Sequence, residues 1–76
     1  MNDANRKRLN DIRDQLDSLK SDLESVLYEE EEKRDNTPEN FQSGERYSHQ
    51  EDVCSYLDEA VNQLDETISN IESAVE

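Results

Sequence analysis

Cys54 and His49 are the only thiol and the only imidazole in the chain, and they lie five residues apart. Such a pair can act as a nucleophile and its base, or as two ligands of a metal ion. A structural zinc site needs four ligands, however, and no second Cys or His is present to complete the set. Cys54 also falls on an apolar stripe, where a thiol is usually inert packing. We therefore expect neither a metal site nor any other cofactor.

Carboxylates are the other groups that could do chemistry, and they dominate the composition. The chain has 21 acidic residues and 8 basic ones, a formal net charge of −13 in 76 residues. Acid–base catalysis needs two carboxylates in unlike environments, whereas the adjacent pairs Asp58-Glu59 and Asp65-Glu66 are alike. No Ser-His-Asp set or glycine-rich phosphate loop accompanies them. The sequence therefore predicts a protein that is not an enzyme and that acts by binding.

The distribution of charge limits the class of partner. Between Glu39 and Glu76 there are ten acidic residues, and Arg46 is the one basic residue. A surface of this sign is repelled by nucleic acid and by anionic membranes, and it is attracted to basic protein surfaces. No apolar run is long enough to span a bilayer. We expect a basic protein surface as the partner, no direct nucleic acid, no membrane contact, and a cytoplasmic location.

Apolar periodicity predicts an all-α fold. Two segments place apolar residues at positions a and d of a heptad repeat. The first stripe is Leu9, Ile12, Leu16, Leu19, Leu23 and Val26. The second is Cys54, Leu57, Val61, Leu64, Ile68, Ile71 and Val75, with Val53 beside it. Pro38 and Gly44, the only Pro and Gly, lie between the two stripes and break the helix. We predict one domain over residues 1–76, with helices over 3–34 and 47–75 and a hinge over 35–46, folded into an antiparallel two-helix hairpin.

The small size of the chain favours self-association. A two-helix hairpin covers one side of each stripe, and a chain this short rarely stabilises a core without disulfides, metals or oligomerisation. The second stripe is broadened by Ala60 and Ala74, which suits contact with more than one helix. We expect a homodimer that closes into a four-helix bundle with the second stripe at its centre. The alternative is a monomeric hairpin.

A small basic patch at the N-terminus is the exception to the acidic surface. It consists of Arg6–Arg8 together with Arg13. In an antiparallel hairpin this patch would lie beside Asp65, Glu66 and Glu72, so we expect it to pair locally rather than to bind nucleic acid.

Two surfaces are candidates for partner binding. The acidic stripe comprises Asp58, Glu59, Asp65, Glu66 and Glu72, extended by Glu29, Glu30, Glu31 and Glu32. Carboxylates about 6–10 Å apart on a rigid rod can imitate the phosphate row of DNA, which rises by ~3.4 Å per nucleotide. The competing surface is the hinge, where Tyr28, Phe41 and Tyr47 offer aromatic anchors. A third interpretation is that the acidic stripe is only a solubilising outer face.

The hinge also carries a family resemblance. Asp35–Gln42, followed by Glu45–Tyr47, resembles the connector of short acidic two-helix proteins from phages and prophages of Gram-positive bacteria. The Asn5–Arg8 segment and the acidic, Leu-rich heptads are similar to that group as well. The resemblance implies a mobile-element origin and a helical hairpin. Small acidic phage proteins often resemble inhibitors of host nucleic-acid enzymes, including restriction and CRISPR systems.

Charge and resemblance together lead to one functional hypothesis. We expect a non-catalytic acidic protein that binds and inhibits a host nucleic-acid-binding or defence protein, as a DNA mimic or anti-CRISPR protein acting in the host cytoplasm. The alternative is a structural or adaptor coiled-coil protein that acts through its apolar stripes or its hinge.

Overall fold

The computed structural model describes all 76 residues and contains helices and turns but no strand. Helix α1 spans Asp3–Asp35, a 3₁₀ turn covers Glu39–Phe41, and helix α2 spans Glu45–Val75. The two α-helices pack side by side in opposite directions, forming a rod of 59 × 15 × 13 Å. The prediction of an all-α helical hairpin is confirmed. Neither helix combines the length and the hydropathy that a membrane span requires.

Local signals in the sequence set both ends of α1. The Oδ1 atom of Asn2 accepts a hydrogen bond from the backbone N–H of Asn5 at 2.7 Å, which satisfies one of the free amides of the first turn. At the other end, the hydroxyl of Thr37 donates to the carbonyl oxygen of Lys33 at 3.0 Å. Pro38 follows directly and has no N–H with which to continue the helix. The charge of Lys33 near the last carbonyls is favourable to the helix dipole.

Helix α2 begins two residues before the predicted position 47. Its N-cap is Gly44, whose backbone is extended and whose carbonyl accepts from the N–H of Ser48 at 3.1 Å. No side chain caps this end. The chain reaches Gly44 through the 3₁₀ turn, which is closed by the N–H of Phe41 bonding to the carbonyl of Pro38 at 2.9 Å.

The hydrophobic core is thin and lies between the two helices. Four residues are buried, namely Leu27, Cys54, Val61 and Ile68. Leu27, Cys54 and Val61 form one cluster, against which Leu23 and Leu57 pack. Contact of Leu23 and Leu57 with the same cluster fits the antiparallel register, in which residues equally far from the hinge face each other.

The two apolar stripes differ in how well they are covered. Every member of the second stripe is buried or half-buried. In the first stripe Leu9, Leu16 and Leu23 are half-buried against α2. The a and d pattern is therefore correct for the a positions of α1 only, because the d positions point away from α2. These d positions form an exposed apolar row, with Ile12 43%, Leu19 58% and Val26 45% exposed.

Residues at heptad position e of α1 take the place of the d residues at the helix contact. Leu27 is buried there, and Lys20 and Arg13 are half-buried at the same position one and two heptads earlier, respectively. The long aliphatic stems of Arg and Lys can cover apolar surface while their charged ends reach water. The contact surface of α1 is therefore built from positions a and e.

Candidate protein-binding surface

The acidic residues of α2 form two parallel rows along the rod. Both rows repeat every seven residues, which is about 10.5 Å along a helix. The inner acidic row, on the side of α1, is Glu51, Asp58, Asp65 and Glu72; the outer acidic row is Asp52, Glu59 and Glu66. All seven side chains are exposed on regular helix. Glu51 and Asp52 belong to these rows although the sequence prediction omitted them, and their seven-residue offset was the signal that could have identified them.

Almost none of this charge is neutralised within the hairpin. Of the ten acidic residues between Glu39 and Glu76, only Asp65 takes part in an ion pair, with Lys20 of α1, which leaves nine without one. Every other ion pair joins two side chains of α1. Arg46, the only cation of α2, pairs with none of them. The outer face of α2 is therefore a continuous negative surface roughly 30 Å long.

The pair between Lys20 and Asp65 connects the two helices at mid-length. The hydrogen bond to Asp65, together with the charge of that carboxylate, raises the pKa of the Lys20 ammonium above its ordinary value. Asp65 is consequently the one member of the inner acidic row that a partner would meet already partly neutralised. Glu59, in the outer row, accepts only a 3.4 Å hydrogen bond from the neutral side chain of Gln63.

The run Glu29–Glu32 is helical, and its four carboxylates have different surroundings. Glu30 lies 3.3 Å from the ammonium of Lys33 and accepts from the side-chain amide of Gln50 at 2.6 Å. These hydrogen bonds, of which the one from Gln50 is the stronger cause, lower the pKa of the Glu30 carboxyl. The same amide bonds the backbone carbonyl of Glu30 at 3.1 Å, so α2 braces the end of α1.

The other members of this run are less constrained. Glu31 is 3.9 Å from Arg34, a loose ion pair, and Glu29 has no ion pair. Glu32 has none either, and it lies beside the phenol of Tyr28. Hydrogen bonding to Glu32 and the charge of that carboxylate raise the pKa of Tyr28. Glu29 and Glu32 are thus the two members of the run that form no ion pair within the chain.

The N-terminal basic patch does not pair with α2 acids as expected. Arg6 forms an ion pair with Asp3 at 3.1 Å and donates from Nε to the carbonyl of Val75 at 3.1 Å. Arg13 pairs with its neighbour Asp14. Lys20, one heptad further along, is the residue that reaches across to α2.

The expected contacts of this patch with Asp65, Glu66 and Glu72 are therefore not formed. Lys7 and Arg8 have no ion pair at all, so the N-terminal end of the acidic rod keeps two free cations.

The hinge forms the largest concavity, a pocket of about 600 Å³. Two of the three predicted aromatic residues line it, Phe41 and Tyr47, and the remaining lining residues are Lys33, Thr37, Gly44, Glu45, Arg46 and Gln50. Phe41 is 62% exposed, so the aromatic rings line an open pocket and do not close the end of the rod. Tyr28 lies outside this pocket, on the exposed surface of α1.

Cys54 and His49 are separated by burial. The thiol is 3% exposed within the core cluster, whereas His49 is exposed near the start of α2. Nowhere do three His, Cys, Asp or Glu side chains come together in a way that could hold a metal ion. The arrangement places Cys54 in packing, and the acidic rows and the hinge pocket remain among the surfaces open to a partner.

Fold and surface together define the class: a highly acidic, all-α helical hairpin. No protein-family model matches the chain, and no curated protein or solved structure is significantly similar to it.

Proposed function

We propose that the protein is a non-catalytic inhibitor that presents the acidic rows of α2 to a basic, nucleic-acid-binding groove of another protein. One observation carries this proposal. Nine of the ten carboxylates between Glu39 and Glu76 have no ion pair. They lie on or beside a continuous helix whose only cation is Arg46. A rod of this charge is attracted to the surfaces that bind DNA or RNA.

The spacing of the rows supports mimicry of a nucleic-acid strand. Each row repeats every seven residues, which is about 10.5 Å at the helical rise. Three nucleotides of one DNA strand rise by ~10.2 Å. A cation that contacts every third phosphate along a groove would therefore meet a carboxylate of one row at nearly the same interval.

Rigidity of the rod favours this use. The helix α2 is continuous over 31 residues, and α1 braces it by the Lys20–Asp65 ion pair near the middle and by Gln50 bonding Glu30 near the hinge. A preformed row of charges loses little conformational freedom on binding, which favours affinity. The proposal includes a homodimer closing into a four-helix bundle, which would present the acidic rows of two copies.

The resemblance to acidic two-helix phage and prophage proteins suggests the class of target. Under the proposal the chain acts in the cytoplasm of a Gram-positive host and inhibits a nucleic-acid-binding or defence protein, such as a restriction or CRISPR effector. The connector Asp35–Gln42 is the part of the sequence that carries this inference.

The test is capture from a Gram-positive lysate followed by elution with duplex DNA. We expect the immobilised protein to retain DNA- or RNA-binding proteins that DNA displaces. Their affinity should fall about tenfold or more between 50 and 200 mM salt, because exposed charges are screened. Capture only of salt-resistant proteins that do not bind nucleic acid would rule out the mimic.

A matched pair of variants locates the surface. The triple variant D52N/E59Q/E66Q removes the outer acidic row, and we expect it to lose binding. The control D11N/D17N/E24Q makes the same change in net charge on exposed, unpaired acids of α1 and should retain binding. Equal loss in both variants would show that net charge, and not the acidic row, attracts the partner.

The hinge pocket supports a second candidate function, that of an adaptor. Phe41 and Tyr47 line a pocket of about 600 Å³ that also contains Arg46 and Lys33, and aromatic and Arg side chains are typical anchors of protein interfaces. The double variant F41A/Y47A separates the two functions. If it abolishes capture while D52N/E59Q/E66Q retains it, the adaptor function is the correct one.

A further inference from the structure

We propose that the exposed apolar row of α1 is the contact between two copies of this chain, packed antiparallel about a two-fold axis at Leu19. The inference rests on the dimer included in the proposed function and names the face that forms it. The row consists of Ile12, Leu19 and Val26, which share one side of the helix because they are seven residues apart.

Burial directs the contact to α1 and away from α2. The second stripe, which the sequence favours as the dimer face, is already covered by α1 in a single hairpin. Ile12, Leu19 and Val26 remain 43%, 58% and 45% exposed. A row of three large apolar side chains, open to solvent on a chain of such high charge, is a surface that association can bury.

Charges beside the row identify a second copy as the occupant. Arg8, Gln15, Asp22 and Glu29 follow one another every seven residues along one flank of the row. All four are exposed, and none has an ion pair or a side-chain hydrogen bond within its own chain. The flank therefore runs from a free cation at one end to two free anions at the other.

This flank is complementary to itself only in the antiparallel direction. Ile12 and Val26 lie seven residues before and after Leu19. Arg8 lies eleven residues before Leu19, and Glu29 lies ten residues after it. A two-fold axis at Leu19 therefore brings Arg8 of each copy to Glu29 of the other, as an isologous interface requires. A parallel two-fold arrangement would place the two flanks on opposite sides of the interface, with Arg8 and Glu29 of the two copies about 31 Å apart along the helix axes, and would leave these charges unpaired.

A groove at the N-terminal end of α1 fits the same arrangement. It has a volume of about 290 Å³ and is lined by Met1, Asn5, Arg8, Leu9 and Ile12. The antiparallel axis places Val26 and Glu29 of the second copy over this groove, so that an apolar side chain meets Ile12 while a carboxylate meets Arg8. The contact uses α1 alone and leaves the outer acidic row of α2 exposed on both copies.

The first experiment is sedimentation equilibrium of the full chain from about 10 µM to 1 mM. High concentrations are needed because the exposed apolar row of α1 is smaller than the ~800 Å² per partner of standard interfaces, so we expect a weak dimer. We expect a reversible monomer–dimer equilibrium. Leu19→Lys should weaken the dimer by at least about 100-fold, because it buries a charge at the axis, while the far-ultraviolet circular dichroism stays helical. Tyr56→Lys, at a residue of α2 that is 74% exposed, is the matched control and should leave the equilibrium unchanged.

A charge exchange tests the antiparallel direction and does not depend on Leu19. Arg8→Glu and Glu29→Arg should each weaken self-association about tenfold, and the double variant R8E/E29R should restore it. Mixing the two single variants should give a heterodimer in preference to either homodimer. Failure of the double variant to recover, or a wild-type chain that stays monomeric up to 1 mM, would overturn the proposal.

These outcomes are separable from those of the proposed function. A monomeric chain that still captures DNA-displaceable proteins would refute the dimer contact and leave the inhibitor function in place. A dimer that Leu19→Lys dissociates, in a chain that captures no such protein, would support the contact and refute the inhibitor.

Discussion

Leu27 and Leu19 offer a direct comparison within one helix, because the same substitution is expected to cost several times more stability at Leu27 than at Leu19. Leu27 is 8% exposed and belongs to the core cluster, whereas Leu19 is 58% exposed. The heptad pattern alone assigns Leu19 to the helix contact at position d and leaves Leu27 outside it. Truncation of each leucine to alanine therefore measures which assignment is physically correct.

The expected magnitudes follow from burial. Leu→Ala in a closed core costs about 2.7–5.0 kcal/mol, and a core two helices thick lets solvent approach the cavity, so we expect about 2–3 kcal/mol for Leu27→Ala. Leu19 has lost less than half of its exposure on folding, and alanine is a slightly better helix former. We therefore expect about 0.5 kcal/mol for Leu19→Ala.

These costs are large relative to the stability of the whole chain. At the usual 0.05–0.15 kcal/mol per residue, a chain of this length has roughly 4–11 kcal/mol, and four buried residues favour the lower end. Leu27→Ala should lower Tm by about 8–24 °C, at about 4–8 °C per kcal/mol for a domain of this size. Leu19→Ala should lower it by only about 2–4 °C.

The assay is urea and thermal unfolding followed by ellipticity at 222 nm, at a protein concentration of a few micromolar so that self-association contributes little. A common m value for the wild type and both variants would show that two-state unfolding is preserved. Equal losses at the two positions, or a larger loss for Leu19→Ala, would refute the a and e contact and return the contact to positions a and d.

Three further outcomes follow from single contacts. Asn2→Ala removes the cap of α1 and should cost about 1 kcal/mol in urea unfolding, with Asn2→Ser as a control that keeps it. Hydrogen bonds from Gln50 and Lys33 lower the pKa of Glu30 in the folded protein. The Glu30 carboxylate therefore stabilises the fold above its ordinary pKa, and this stabilisation is lost as pH falls through the lowered folded pKa. Glu30→Gln should flatten the acid side of the curve of unfolding free energy against pH. The pKa of Lys20 is raised in the folded protein. Its contribution to stability is therefore complete below its ordinary pKa and is lost as pH rises through the raised folded pKa. Lys20→Met should flatten the alkaline limb, and an unchanged limb in either variant would contradict the corresponding contact.

The sequence was sufficient to predict the architecture for simple physical reasons. Apolar residues at seven-residue spacing admit little besides helices, and Pro38 with Gly44 leaves one place for the chain to reverse. Antiparallel pairing then follows from two helices of similar length and a short connection. Because of that geometry, Leu23 and Leu57 pack against the same core cluster.

The orientation of α1 about its own axis could not be predicted in the same way. A count of apolar residues treats Arg13 and Lys20 as outward-facing, although their stems are half-buried at the contact. Leu27 is the only apolar residue among Arg13, Lys20 and Leu27, which occupy heptad position e of α1. Position e forms a continuous contact row only when the aliphatic stems of the two cations are counted with it. The exposed apolar row of α1 follows from this rotation and is visible only in the folded hairpin.

The acidic rows of α2 are not explained by the needs of the fold. A coiled-coil outer face needs polar residues, and a Lys four residues after a Glu or Asp adds about 0.2–0.5 kcal/mol to a helix. The positions four residues after Glu51, Asp58 and Asp65 are Ser55, Asn62 and Ser69, so the sequence omits this stabilisation three times along the inner row. From position 47 to position 76 there is no Lys or Arg at all. Folding would tolerate and even favour cations at these places, so their absence is the physical argument behind the proposal that the negative surface of α2 binds a basic partner.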